Sequence, residues 1–475
     1  VIKNNIDVVS KSFKTEPHQK VVIRPMYYGN KYYAYIIETF KDIRMVGAPP
    51  SSIGKFGSDT DNWVFPRHTG DFMMFRIYAD KNNKPAEYSK DNIPYKPKHF
   101  LPVSIKDKKE GDFTFVFGFP GRTTEYLPSV AVEKIRSEID PAMIDVRDVA
   151  LKTLDEKMRT DQATKIKYAS KYAGVANYWK KWKGEVEGLT KSDAVGKKQR
   201  YEQTLIAKNP EVKTTLDEFN RLYTEQAPYA LSRAYYSEVI RNAETLSLAN
   251  NFYNFANAAE SGKMDAKTLE NFKNRLKEIY KNYDPELDAK VTAKVLALYA
   301  NRVQPQFLPS GFEQYKDVNR NLQTIEELSK NSVITGRGTL NGATTYSGID
   351  KIFADPNALV QNLKNDPLMK LFTSMRESYL AKTDGKYAEY QKQIDVLQKK
   401  YMAQQMDTDK NRTFYPDANS TLRVTYGEVK GSNPKDALYY GYQTHLSGVM
   451  EKYVPGDYEF DVPKKLIEKK KKKDY

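Results

Sequence analysis

The sequence predicts an α+β protein in which a β-rich region is interrupted by a long helical one. Three observations lead to this fold class. Runs of β-branched and aromatic residues broken by turn signals fill the chain before residue 127, apolar residues at i, i+3, i+4 spacing fill its middle, and strand patterning returns near residue 421. The expected division is therefore residues 1–127 as part of a β domain, 128–415 as an inserted α-helical domain, and 416–475 as a return to the β domain.

In the first β region, Val21-Val22-Ile23 runs on to Tyr28, and a second run, Tyr32-Tyr33-Ala34-Tyr35-Ile36-Ile37, follows Gly29-Asn30-Lys31. Two such runs around a turn predict a hairpin. Residues 72–78 and 112–119 read as further strands, the latter stopped by Pro120-Gly121. Helical periodicity begins at 129–135 and recurs over 151–158, 168–182, 219–236, 269–280, 291–299 and 387–401, with Lys and Glu on the outer faces. Most aromatics there are expected in the core. Residues 422–429 return to a strand pattern, and 439–453 reads as a helix carrying His445 beside Leu446.

A chain of 475 residues exceeds a single hydrophobic core, and 40% hydrophobic content with 35 Tyr supplies material for several packed layers. No run approaches the ~18 apolar residues a membrane helix needs, and the opening Val1-Ile2-Lys3-Asn4-Asn5 lacks the basic-then-apolar layout of a secretory leader. Zero cysteines exclude disulfides, thiolate metal sites and a cysteine nucleophile. The formal charge of +15 admits anionic partners, nucleic acid among them, but Lys is scattered and its densest run, Lys469 to Lys473, reads as a solvated helix end. No nucleic-acid partner is expected.

The stretch Gly57-Ser58-Asp59-Thr60-Asp61-Asn62-Trp63-Val64-Phe65-Pro66-Arg67-His68-Thr69-Gly70-Asp71-Phe72 stands apart. A surface turn uses Gly, Asp, Asn and Pro for backbone geometry but has no need of an indole, a phenyl ring and an Arg-His pair. The loop is built to present side chains. Its acids around His68 lack the spacing of a zinc site or the density of a calcium loop, so no metal is expected and His68 reads as a structural hydrogen-bonder. Of the four histidines, His18, His68, His99 and His445, none sits in a setting that marks a general base, and there is no Gly-x-Ser-x-Gly elbow. Thr335-Gly336-Arg337-Gly338-Thr339-Leu340-Asn341-Gly342 lacks the Gly-Lys-Ser/Thr ending of a phosphate loop and reads as a flexible helix-to-helix connection. Tyr178-Trp179-Lys180-Lys181-Trp182 offers rings for base stacking, with packing on a helix face the commoner explanation.

The loop resembles, nearly residue for residue, the signature of the bacterial dipeptidyl-peptidase seven/eleven family of serine exopeptidases. The likeness extends over most of the chain. It includes Lys20-Val21-Val22-Ile23-Arg24-Pro25-Met26-Tyr27-Tyr28-Gly29-Asn30, Val46-Gly47-Ala48-Pro49-Pro50, Val116-Phe117-Gly118-Phe119-Pro120-Gly121-Arg122-Thr123, Ser420-Thr421-Leu422-Arg423 and Glu451-Lys452-Tyr453-Val454-Pro455-Gly456-Asp457. The resemblance implies a chymotrypsin-like antiparallel double β-barrel, incomplete here, interrupted by a large all-α lid domain. It implies that Asp71 is the catalytic acid, and that Asn62, Trp63 and, from the lid, Asn177 in Ala176-Asn177-Tyr178-Trp179 bind the substrate N-terminus.

The implied activity is release of dipeptides from the free N-terminus of oligopeptides through an acyl-enzyme, without a cofactor. A homodimer in the periplasm or at the cell surface of a Gram-negative bacterium is implied as well. The family's catalytic His and Ser match no residue in this sequence, so the chain is expected to be a central portion that is inactive alone. Ser58 stands where the family has Gly, and Val64-Phe65 replace a Met-Trp type pair. The rival expectation is a catalytically inactive, peptide-binding relative.

Overall fold

A computed structural model describes residues 2–346 and 348–473. The protein is α+β and divides into two compact units, one formed by residues 1–126 with 409–475 and the other by 127–408.

In the first unit, β1 (Gln19–Met26) and β2 (Lys31–Glu38) form the expected antiparallel hairpin, in register from Gln19↔Glu38 to Met26↔Lys31. Alternating β-branched and aromatic residues suit a pleated strand. The reversal itself falls on Tyr27 to Asn30, where the Asn30 side chain donates to the Tyr27 carbonyl at 2.9 Å. Strands β3 (Ile43–Gly47), β4 (Met74–Ala79) and β5 (Ile93–Pro94) form a three-stranded sheet. The β6 strand (Phe113–Gly118) pairs antiparallel with β7 (Arg423–Glu428), joining the two ends of this unit through the Phe113↔Glu428 to Gly118↔Arg423 register. A last pair joins β8 (Ser432–Lys435) to β9 (Leu438–Tyr440). These pairings make four separate small sheets, and none closes into a barrel among the described residues.

The expectation of a helix over 439–453 is corrected. Tyr439 and Tyr440 lie in β9, His445 is extended (φ −126°, ψ 158°), and the helix is confined to Leu446–Lys452. Aromatic residues favour the strand and Gly441 weakens a helix, so only the Gly441-free remainder coils.

The second unit is helical, with long antiparallel neighbours: Asp140–Met158 packs on Gln162–Lys191, and Glu211–Asn242 on Gly385–Thr408. Six of its helices start at an aspartate whose carboxylate accepts first-turn N–H groups: Asp161, Asp265, Asp284, Asp317, Asp355 and Asp366. At Asp284, Asp355 and Asp366 a proline follows at the first helical position, where its missing N–H costs nothing.

The hydrophobic clusters all belong to this unit, around Val239 and Leu296, around Phe252 and Phe372, and around Phe219 and Tyr401. The expected flexible connection near residue 336 is a correction of another kind. Ser332, Val333, Ile334 and Thr335 are buried; Ser332 Oγ donates to the Asp366 carboxylate at 2.9 Å, and Tyr280 donates to the Ile334 carbonyl at 2.5 Å. The segment is a plug held in place.

Candidate functional site

The chemistry-bearing loop is built on the first unit. Pro49-Pro50 leads into the short helix Ser51–Gly54, and the Gly57 backbone turns at φ +77° with the Asp61 carboxylate lying where a side chain would project. Only glycine fits there without collision. Asp61 N–H then donates to the Gly57 carbonyl (2.7 Å), Asn62 N–H to Asp59 (3.1 Å) and Val64 N–H to Asp61 (3.0 Å). Trp63 sits in the left-handed region at φ +63°, reversing the chain and turning the indole outward, 58% exposed. The loop closes at its base through Gly70 N–H to the Ile53 carbonyl (3.0 Å) and Thr69 Oγ1 to the Phe56 carbonyl (2.9 Å).

The C-terminal stretch of the same unit holds this loop down. The Glu459 carboxylate accepts from Asp59 N–H (3.0 Å) and from the Thr60 hydroxyl, while its backbone carbonyl accepts from Gly57 N–H (2.8 Å). Beneath, the buried Phe56 ring meets Phe460 edge-on, centroids 5.6 Å apart. Lys452 Nζ donates to Asp61 Oδ2 at 2.7 Å and to the Pro66 carbonyl at 2.8 Å.

His68 departs from the expectation of a structural hydrogen-bonder. Its Nδ1 is buried and makes no hydrogen bond among the described residues, and its ring packs where a side chain on Gly448 would stand. Burial lowers its pKa, and the Lys452 ammonium lowers it further. His68 is thus a neutral packing imidazole and not a hydrogen-bonded tie.

The whole chain, residues 1–475, matches the family model described as Peptidase S46. This chain belongs to the Peptidase S46 family. It is 47% identical over 485 residues to a Flavobacterium psychrophilum protein named Asp/Glu-specific dipeptidyl-peptidase, the match covering all of this chain and 66% of that protein. Its identity to dipeptidyl-peptidase 7 of Porphyromonas endodontalis is 38% over 459 residues, covering 95% of this chain and 55% of that protein. It superposes on the crystal structure of Porphyromonas endodontalis DPP11 in complex with the dipeptide Arg-Glu with a TM-score of 0.81 at 29% identity, over 100% of this chain and 67% of that one. The S46 chain spans 66% of the length of the Asp/Glu-specific relatives it matches at 46% and 47% identity.

Within the S46 chain, Asn62 is half-buried and Trp63 exposed on the pinned loop, with Asp71 at the loop's exit. Asp71 is exposed and makes no hydrogen bond or ion pair among the described residues, and its neighbours Phe72 (59%), Met73 (62%) and Phe75 (54%) are exposed as well.

Asn177 lies on the exposed face of the helix Gln162–Lys191, next to the buried Ala176, in the helical unit. Two residues before Asn177, the Val175 carbonyl accepts from Arg147 Nη1 at 2.9 Å. The Trp-Tyr cluster packs as anticipated: Trp182 is buried beneath the Arg147 guanidinium, 4.8 Å from the ring centroid, and Tyr178 leans on it at 5.5 Å.

Sequence reasoning missed Lys452 and Glu459. Glu451-Lys452-Tyr453 was visible as a motif, but nothing local ties it to a loop nearly four hundred residues earlier. Among the described residues no three His, Asp or Glu side chains converge as metal ligands do, and no helix is long and apolar enough to cross a membrane. The helical unit carries cavities of about 680 and 630 Å³. The second is walled by Tyr168, Lys171, Glu244 and Asp288, whose polar atoms bond one another, and burial pushes the Glu244 carboxyl up to about 7.

Proposed function

We propose that this chain works within a serine-type dipeptidyl-peptidase that releases dipeptides from the free N-terminus of oligopeptides through an acyl-enzyme. The observation that carries the reading is the pinned loop that presents Asn62, Trp63 and Asp71 in turn, on a chain of the Peptidase S46 family. Asp71 accepts the Nδ1–H of a catalytic imidazole, holds its tautomer and stabilises the imidazolium that forms as the serine attacks. Exposed and unbonded among the described residues, the Asp71 carboxylate is open to that bond.

Asn62 and Asn177 offer amide oxygens to the substrate α-ammonium, which loses water on entering a cleft and needs acceptors in return. The Trp63 indole forms the wall that stops longer extensions, so that the site counts two residues from the amine. The double β-barrel with a helical lid, the homodimer and the periplasmic or cell-surface setting belong to this same reading, as does the boundary of the helical insertion at 128–415. An acidic preference at the residue before the cleaved bond follows from the similarity to the two Asp/Glu-specific relatives at 46% and 47% identity.

The test is made in the full-length gene product. Asp71→Ala is expected to lower kcat by about 10⁴-fold, the scale on which triad hydrolases depend on this acid, while Asn62→Ala raises KM for free-amine substrates. Wild-type turnover by both variants discards the proposal. Faster cleavage after an aliphatic than after an acidic residue discards the specificity alone.

A further inference from the structure

We infer that Lys452 is a positioning residue for substrate binding: its ammonium, shared between the Asp61 carboxylate and the Pro66 carbonyl, clamps residues 61–66 and so sets the orientation of Asn62 and Trp63. The inference rests on the proposed amine site and adds a residue to which neither the family likeness nor the sequence assigned a role.

Packing does little to hold that orientation. Trp63, Val64 and Phe65 are 58%, 45% and 64% exposed, and the Phe65 ring meets Tyr440 at 6.1 Å between centroids. Its entry is fixed independently, since Glu459 takes the backbone of Gly57 and Asp59 and the hydroxyl of Thr60. Within residues 61–66, Lys452 adds two points of attachment, at 2.7 Å to Asp61 and 2.8 Å to Pro66, with Asn62 and Trp63 between them.

The residue type follows from the acceptors. One is an anion on a side chain only 8% exposed, the other a neutral carbonyl, and a single group serving both must bring a positive charge and at least two donors. Lys452 meets this from the last turn of the helix Leu446–Lys452, with its own side chain 25% exposed. Its charge also neutralises Asp61, the residue beside Asn62. An unpaired Asp61 would draw the substrate ammonium to the wrong acceptor. The neighbouring imidazole adds no competing cation, because burial and Lys452 itself hold His68 neutral.

The experiment measures steady-state kinetics of the full-length gene product on a free-amine dipeptidyl chromogenic substrate, with Lys452→Met, Lys452→Gln and Lys452→Arg. Lys452→Met and Lys452→Gln are expected to raise KM by about tenfold to a hundredfold, the scale of a lost charged hydrogen bond, and to leave kcat within about threefold because the chemistry is untouched. Lys452→Arg is expected to restore KM, since a guanidinium reaches both acceptors. If Lys452→Met does not fold, the Lys452→Gln and Lys452→Arg pair decides. A KM within about twofold of wild type in Lys452→Gln overturns the inference, as does a rise in KM that Lys452→Arg fails to reverse, which is the mark of a purely structural lysine. Asn62→Ala separates the two levels of argument. If it leaves KM unchanged the amine site itself is wrong, whereas a raised KM there with none in the Lys452 variants removes the positioning role alone.

Discussion

Removing the Arg147 guanidinium tests how the helix bearing Asn177 is held. Arg147 and Glu238 form an ion pair with side chains only 3% and 5% exposed, Nε to Oε2 at 2.6 Å. The same guanidinium donates to the Val175 carbonyl at 2.9 Å, so it staples three helices: Asp140–Met158, Glu211–Asn242 and Gln162–Lys191. Arg147→Met keeps the volume and the contact with Trp182 but strands a buried carboxylate, whose remaining close donor is the Asn242 amide at 3.0 Å. Losing one member of a buried pair costs about 3–5 kcal/mol. Arg241, 4.0 Å from Glu238 and itself 66% exposed, returns at most about 1 kcal/mol of that, as surface pairs do.

The expected loss is therefore about 3 kcal/mol, or roughly 6–12 °C in Tm for a unit of this size. Thermal and urea unfolding followed by helical circular dichroism at 222 nm reads it. The double variant Arg147→Met with Glu238→Leu should recover much of the loss, because no charge is then left buried. A single variant within about 1 kcal/mol of wild type, or a double variant less stable than Arg147→Met alone, would refute the reasoning.

Two further outcomes follow from the helical unit. Burial and the adjacent Glu185 push the Asp140 carboxyl up to about 7, against an ordinary value of 3.8. Between those values the folded state binds the extra proton, so this group's contribution falls as pH rises through about 4 to 7. Asp140→Asn should flatten that dependence and raise Tm at pH 8 but not at pH 4, an effect on the order of 1–2 kcal/mol after screening; equal Tm changes at both pH values rule it out. Phe252, fully buried against Phe272 and Phe353, should cost about 3–5 kcal/mol when truncated to Ala, and a shift in the urea midpoint below a third of that scale would mean the site collapses around the gap.

Much of the local structure was legible because its causes are local. The Val21 and Tyr32 runs pair as a hairpin, and the amphipathic stretches from 151 to 401 coil, since strand and helix periodicity are properties of neighbouring residues. Where local signals conflict, as over 439–453, aromatic strand propensity and Gly441 outweighed an apolar spacing that looked helical. The Gly-rich run at 336 looked mobile because composition reports backbone freedom; it says nothing of the Asp366 carboxylate and the Tyr280 hydroxyl that tie its entry down.

At the candidate site the same division appears. The residue types that make residues 57–72 a presenting loop, and the glycine that its sharpest turn requires, are written in the chain itself. The exposure of Asp71, the neutral His68 packed on Gly448, and the Lys452 and Glu459 anchors are decided by segments remote in sequence. The β6–β7 pairing that brings those segments into one unit is equally non-local. Charges and carbonyls carry no periodicity, so their partners become known only when the chain has folded and placed them within bonding distance.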